Sequence, residues 1–145
     1  MRYTLELDIE APRSKVVELF DNPENWPKWQ EGFVSAEPIA GTAREVGSKI
    51  KIVQKMPTGS TEIIETMESR HLPEEVTCVY EAKGAWNRVA NRFVEISPAQ
   101  TRWVFETEFR CEGLLKILSL LAPGMFRRSS LKEMGRFKQF VEENR

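Results

Sequence analysis

Between Gly113 and Asn144 the chain carries the feature that leaves it fewest folds, a long apolar helical stretch broken once. Leu114, Leu115, Ile117, Leu118, Leu120 and Leu121 come first, Ala122-Pro123-Gly124 interrupts, and a second run follows through Met125 and Phe126. In that run Leu131, Met134, Phe137 and Val141 recur every three or four residues, the stripe of an amphipathic helix. Arg128, Lys132, Glu133, Arg136, Lys138, Glu142 and Glu143 occupy the other side and are expected to face water. Propensity alone does not hold such a helix, so its apolar stripe needs a broad partner. The Pro123-Gly124 break lets the first half move relative to the second. That half reads as a kinked start that follows its support, as a lid, or as an apolar surface for a membrane or partner.

The rest of the chain offers the partner. Tyr3, Leu5, Leu7 and Ile9 alternate with polar residues as in a half-buried strand, and Ala11-Pro12 ends it. Ser14 is placed to cap a short helix through Phe20, and Asn22 to Trp29 reads as a turn and a second short helical segment closed by Trp26 and Trp29. From Phe33 on, strands and turns alternate. A strand over 34–39 comes first, and the next places Ile50, Ile52, Gln54 and Met56 opposite Lys49, Lys51 and Lys55. A tip at Thr58-Gly59 would pair Met56 with Thr61, Gln54 with Ile63, Ile52 with Glu65 and Ile50 with Met67. A three-residue turn at Lys83-Gly84-Ala85 would set Ala82 beside Trp86, Tyr80 beside Arg88, Cys78 beside Ala90 and Val76 beside Arg92. Counting from Pro98-Ala99 sets Glu95 opposite Arg102 and Val94 opposite Trp103, and sends Arg88 and Arg92 inward, which a bulge in that strand would reverse. The expected class is therefore α+β, a twisted antiparallel sheet of about six to seven strands carrying the C-terminal helix, with two short helices after the first strand.

Composition narrows the function. The 145 residues suit one domain, read as 1–145, and 21 basic against 22 acidic side chains give a net charge of -1, with no general pull toward nucleic acid. Cys78 and Cys111 stand alone in strand-like contexts, so a reduced cytoplasmic protein without disulfide or metal is expected. The first residues do not read as a signal peptide, and no stretch reaches the roughly 20 apolar residues of a transmembrane helix. No phosphate loop, paired-Cys motif or nucleophile elbow is present, and His71, the only histidine, reads as a solvated corner residue before Leu72-Pro73.

The element order, Ala11-Pro12 with Val16 and Phe20 behind it, the Asn22 to Trp29 stretch, Val46-Gly47-Ser48, Leu72-Pro73, Ser97-Pro98 with Thr101, and Gly113-Leu114-Leu115 before a helix ending in Phe137, Phe140 and Glu142 resemble the helix-grip fold of the START-like (SRPBCC) superfamily. Within it the chain looks most like the polyketide cyclase/dehydrase-type group. The likeness covers essentially the whole chain and its motifs are structural. It implies a cavity between sheet and helix that takes a lipid, polyketide or aromatic molecule, with no cofactor and no shared catalytic residue.

The registers above place Ile52, Gln54, Met56, Ile63, Glu65, Met67, Tyr80, Trp86, Arg88, Arg92, Trp103, Phe105 and Thr107 on the inner face, with Leu118, Leu121, Phe126 and Met134 from the helix. These are the candidate ligand contacts. Burying a lone carboxylate or guanidinium costs several kcal/mol, so Glu65, Tyr80, Arg88 and Arg92 pair with one another, orient a polar ligand group, or lie outside. Three functions follow: a carrier of a hydrophobic small molecule, a cyclase or dehydratase using Glu65 and Tyr80 as acid and base beside an arginine, or an interaction module whose interior is filled.

Overall fold

The computed structural model describes residues 1–57 and 59–145. Seven strands form one antiparallel sheet: β1 (Arg2–Ile9), β2 (Phe33–Ala40), β3 (Lys49–Met56), β4 (Gly59–His71), β5 (Glu75–Ala82), β6 (Ala85–Ser97) and β7 (Gln100–Cys111). Hairpin succession builds β2 through β7, and β1 closes the order β1-β7-β6-β5-β4-β3-β2 by pairing with β7. Between β1 and β2 lie α1 (Arg13–Phe20), one 3₁₀ turn (Pro23–Asn25) and α2 (Trp26–Trp29). After β7 come α3 (Gly113–Leu121) and α4 (Pro123–Glu143), separated at Ala122 where the proline interrupts the helix. The α+β helix-grip class read from the sequence is the observed one. α1 starts at Arg13 after Pro12, so Ser14 lies inside the helix and supplies no cap.

Aromatic packing fixes helix to sheet. Phe137 of α4 is 0 % exposed and meets the rings of Phe20, Trp29 and Trp103 at centroid distances of 5.4, 4.9 and 5.2 Å. Met134 and Val141 complete the buried stripe, while Leu131 is 42 % exposed. The reason is angular. Ser130, four residues before Met134, takes the stripe position, and Leu131 is turned about 100° away from it. Tyr3 ties β1 to the start of α4 through its hydroxyl, 2.7 Å from Ser130 Oγ and 3.1 Å from the Phe126 carbonyl.

Three turns depart from the expected registers. Met56 pairs with Gly59, so Gln54 faces Thr61, Ile52 faces Ile63 and Ile50 faces Glu65; Thr58, part of the expected tip, lies outside the described residues. This two-residue offset leaves every side chain on its expected face. The β5–β6 turn is shorter than expected by one residue, since Ala82 pairs with Ala85, Tyr80 with Asn87, Cys78 with Val89 and Val76 with Asn91. A slip of one reverses the faces, because side chains alternate with period two. A bulge between Glu95 and Ser97 does the same at the β6–β7 hairpin, so Phe93 faces Trp103 and Val94 faces Arg102. Asn87, Val89, Asn91 and Phe93 therefore point inward, and Trp86, Arg88 and Arg92 outward.

Candidate functional site

A cavity of about 750 Å³ lies between the sheet and α4. The sheet contributes Ile52, Gln54 and Met56 from β3, Ile63 from β4, Tyr80 from β5, Asn87, Val89 and Asn91 from β6, and Trp103, Phe105 and Phe109 from β7. Phe20 and Trp29 close one side, and Ser129, Ser130, Glu133, Met134 and Arg136 of α4 form the roof. Side chains of the described residues do not fill this space.

Most polar groups on this wall are already occupied. Trp103 donates its indole N–H to Asn91 Oδ1 at 2.9 Å, and Asn87 Nδ2 donates to Thr107 Oγ1 at 2.7 Å and the Glu108 carbonyl at 3.0 Å. Arg136 donates to the Trp29 carbonyl at 3.0 Å and pairs with Glu31 at 3.4 Å. Two groups differ. The buried Trp29 indole N–H finds no acceptor among the described residues. Glu133 accepts no hydrogen bond among them, and burial pushes its carboxyl above the ordinary range against a weak opposing pull from Arg136. The Glu133 carboxyl thus lines a largely aromatic cavity without a hydrogen-bond partner, while the Trp29 N–H is enclosed within the wall.

Several sequence candidates lie elsewhere. Arg88 pairs with Glu68 at 2.7 Å, Arg92 pairs with Glu106, and Trp86 lies under the Arg110 guanidinium at 4.6 Å, all three on the outer face. Leu121 is exposed, Leu118 sits half-buried on α3 away from the wall, and Phe126 backs the cavity with its ring tilted against that of Phe109 at 5.3 Å. Met67 is core, with its sulfur 3.8 Å from Cys78 Sγ, and exposed His71 is not on the wall.

Glu65 is inside but tied down. Its carboxylate, 4 % exposed, takes a bond from Arg44 at 3.2 Å, and Arg44 also holds Asp21 at 2.9 Å, which Arg70 grips from the other side at 2.5 Å. Burial raises the Glu65 carboxyl, and the Arg44 charge draws it back only part of the way. Burial also opposes charge on Asp21, but the bonds from Arg70 and Arg44 outweigh it and hold that carboxyl low. Tyr80 is pushed well up by burial and by the neighbouring Glu65 charge. The network braces the β2–β3 connection against α1 and stands behind the cavity wall, which only Tyr80 reaches.

The sequence reading missed Asn87, Val89 and Asn91 through the turn slip, and missed Glu133 by assigning it to the solvent side. The signal for Glu133 was available: it lies one residue before Met134 and four before Phe137, on the flank of the buried stripe.

The model of the family described as polyketide cyclase/dehydrase and lipid transport matches residues 1–142. The chain belongs to this family. Comparison with curated proteins gives no match. A conserved protein from Geobacillus kaustophilus superposes with a TM-score of 0.84 at 11 % identity, covering 99 % of this chain and 96 % of that one. The Zhui aromatase/cyclase from Streptomyces sp. R1128 gives 0.81 at 9 % identity, covering 98 % and 93 %, and a START superfamily protein from Mycobacterium smegmatis gives 0.73 at 12 %, covering 96 % and 98 %. At these identities the likeness is one of fold.

Proposed function

We propose that the protein binds a hydrophobic, ring-bearing small molecule in the cavity between sheet and α4. The observation that carries this is the cavity itself, about 750 Å³ in volume and walled by Phe20, Trp29, Tyr80, Trp103, Phe105 and Phe109. That volume falls within the range of sites for drug-sized ligands. Aromatic faces hold flat apolar molecules, and the polar wall residues Gln54 and Glu133 leave room for one polar group among them.

Trp29→Phe tests the aromatic wall. It shortens a buried ring that packs on Phe20 and Phe137 and lines the cavity, so stability should fall by about 1–3 kcal/mol and ligand affinity roughly five- to tenfold. Urea unfolding reads the first and isothermal titration with the same ligand the second; equal affinities would remove Trp29 from the site.

Glu133 supports a second reading, an enzyme of the cyclase or dehydratase kind. A carboxyl that burial holds above its ordinary range, on the wall of a largely aromatic cavity, holds its proton more tightly than a solvated one and is suited to act as a general acid. It takes over the role expected of Glu65, whose carboxylate is engaged by Arg44. Glu133→Gln separates the readings: a carrier keeps its affinity within a few-fold, whereas an enzyme keeps binding and loses turnover by about 10²-fold or more.

A further inference from the structure

α3 is apolar on nearly every side, yet the chain covers only one of them. Leu115 and Leu118 are half-buried toward α4 and β7, whereas Leu114, Ile117, Leu120 and Leu121 are each between 52 % and 78 % exposed. No residue of this helix is buried. Leu114, Ile117 and Leu121 fall on one face, with Leu120 beside it, and the exposed Met125 follows the break at Ala122. A helix with this composition is normally covered.

The charge around the patch differs from that of the chain. Between Glu112 and Lys132 stand Lys116, Arg127, Arg128 and Lys132, with Glu112 as the single acid apart from these, although the whole chain has a net charge of -1. Among the described residues none of the four cations has an acidic partner within salt-bridge distance, whereas Arg44, Arg70, Arg88, Arg92 and Arg102 all do. Exposed leucines with unpaired cations close by in the chain match an anionic bilayer, whose headgroups take the charges while its acyl boundary takes the side chains. Among the described residues no helix is long and apolar enough to cross a membrane, so contact would be in the interface plane.

We propose that α3 and the first turns of α4 dock on anionic lipid surfaces, with Leu114, Ile117, Leu120 and Leu121 inserted and Arg127 and Arg128 at the headgroups. This surface is independent of what fills the cavity. The two are nevertheless adjacent, because Phe126 of the docking face packs on Phe109 of the cavity wall.

Flotation of the full chain with phosphatidylcholine vesicles, with and without about 30 % phosphatidylglycerol, tests this at low and high salt. Wild type should bind the anionic vesicles at least about tenfold more tightly than the neutral ones, and less so at high salt. Leu120→Ser/Leu121→Ser should lower binding at least about tenfold at either salt, and Arg127→Gln/Arg128→Gln about fivefold per charge at low salt only. All four positions are exposed, so both variants should unfold at the wild-type temperature. No preference for anionic vesicles would overturn the proposal, as would wild-type binding by the leucine variant. So would a wild-type dimer on sizing that the leucine substitutions dissolve and that ignores vesicles, which would make a second copy the occupant.

Discussion

Phe137→Ala should cost about 3–5 kcal/mol, a third or more of the stability of an ordinary domain. Phe137 is fully buried and its ring is the common neighbour of Phe20, Trp29 and Trp103, which come from α1, α2 and β7. Removing it deletes three edge contacts and leaves a void next to the existing cavity, where three cavity-wall rings lose their backing at once. The expected fall in melting temperature is roughly 10–20 °C for a chain of this size. Leu131→Ala on the same helix should cost under about 1 kcal/mol, because that side chain already reaches solvent. Urea unfolding of the pair checks both values. Similar losses for the two would mean that α4 is not held by the aromatic cluster.

The second large effect is electrostatic. Arg44→Met leaves the Glu65 carboxyl buried without its cation, a loss of about 3–5 kcal/mol at neutral pH. Asp21 keeps Arg70 and is affected less. The sign of the pH dependence follows from proton binding. The folded-state value of Glu65 is already raised, and without Arg44 it rises further, so between the ordinary glutamate range near ~4.3 and that raised value the folded chain binds more protons than the unfolded one. Stability of the variant therefore falls as pH increases through this window, and its deficit should be smaller near pH ~5 than near pH ~8. Asp21 works the other way. Its lowered value gives stability that is present above the ordinary aspartate range and lost in stronger acid, so both measurements belong above pH ~4.5. Adding Glu65→Leu should recover most of the loss, since the uncompensated charge is then gone. A deficit independent of pH, or no recovery in the double variant, would show that Arg44 acts by packing on Trp26, over whose ring it lies at 5.6 Å.

These two groups show what the sequence could and could not convey. Apolar periodicity in α4 and alternation in the strands report burial directly, and they led to the sheet, the terminal helix and its break at Pro123. Trp103, Phe105, Met56, Gln54, Tyr80 and Met134 stand on the cavity wall as their strand and helix parity implied. Turn length is written in one or two residues, so Lys83-Gly84 read with Ala85 added reversed the whole of β6 and moved Arg88 and Arg92 across the sheet. The bulge after Glu95 had a comparable effect from the other end. The partner of Glu65 was out of reach for another reason. Arg44 stands 21 residues away in the β2–β3 connection, with φ of 66°, and no periodicity links a loop cation to a strand carboxylate.

Titration with N-phenyl-1-naphthylamine, a neutral ring compound, followed through tryptophan emission, tests most directly whether the space under α4 admits a guest, since Trp29 and Trp103 both face it. Val89 lines that space and Val94 lies on the exposed face of the same strand. Saturable one-to-one binding by wild type and by Val94→Trp, weakened at least about tenfold in Val89→Trp with folding intact, is the expected result. Absence of saturable binding in wild type, or equal binding by a folded Val89→Trp, would contradict it.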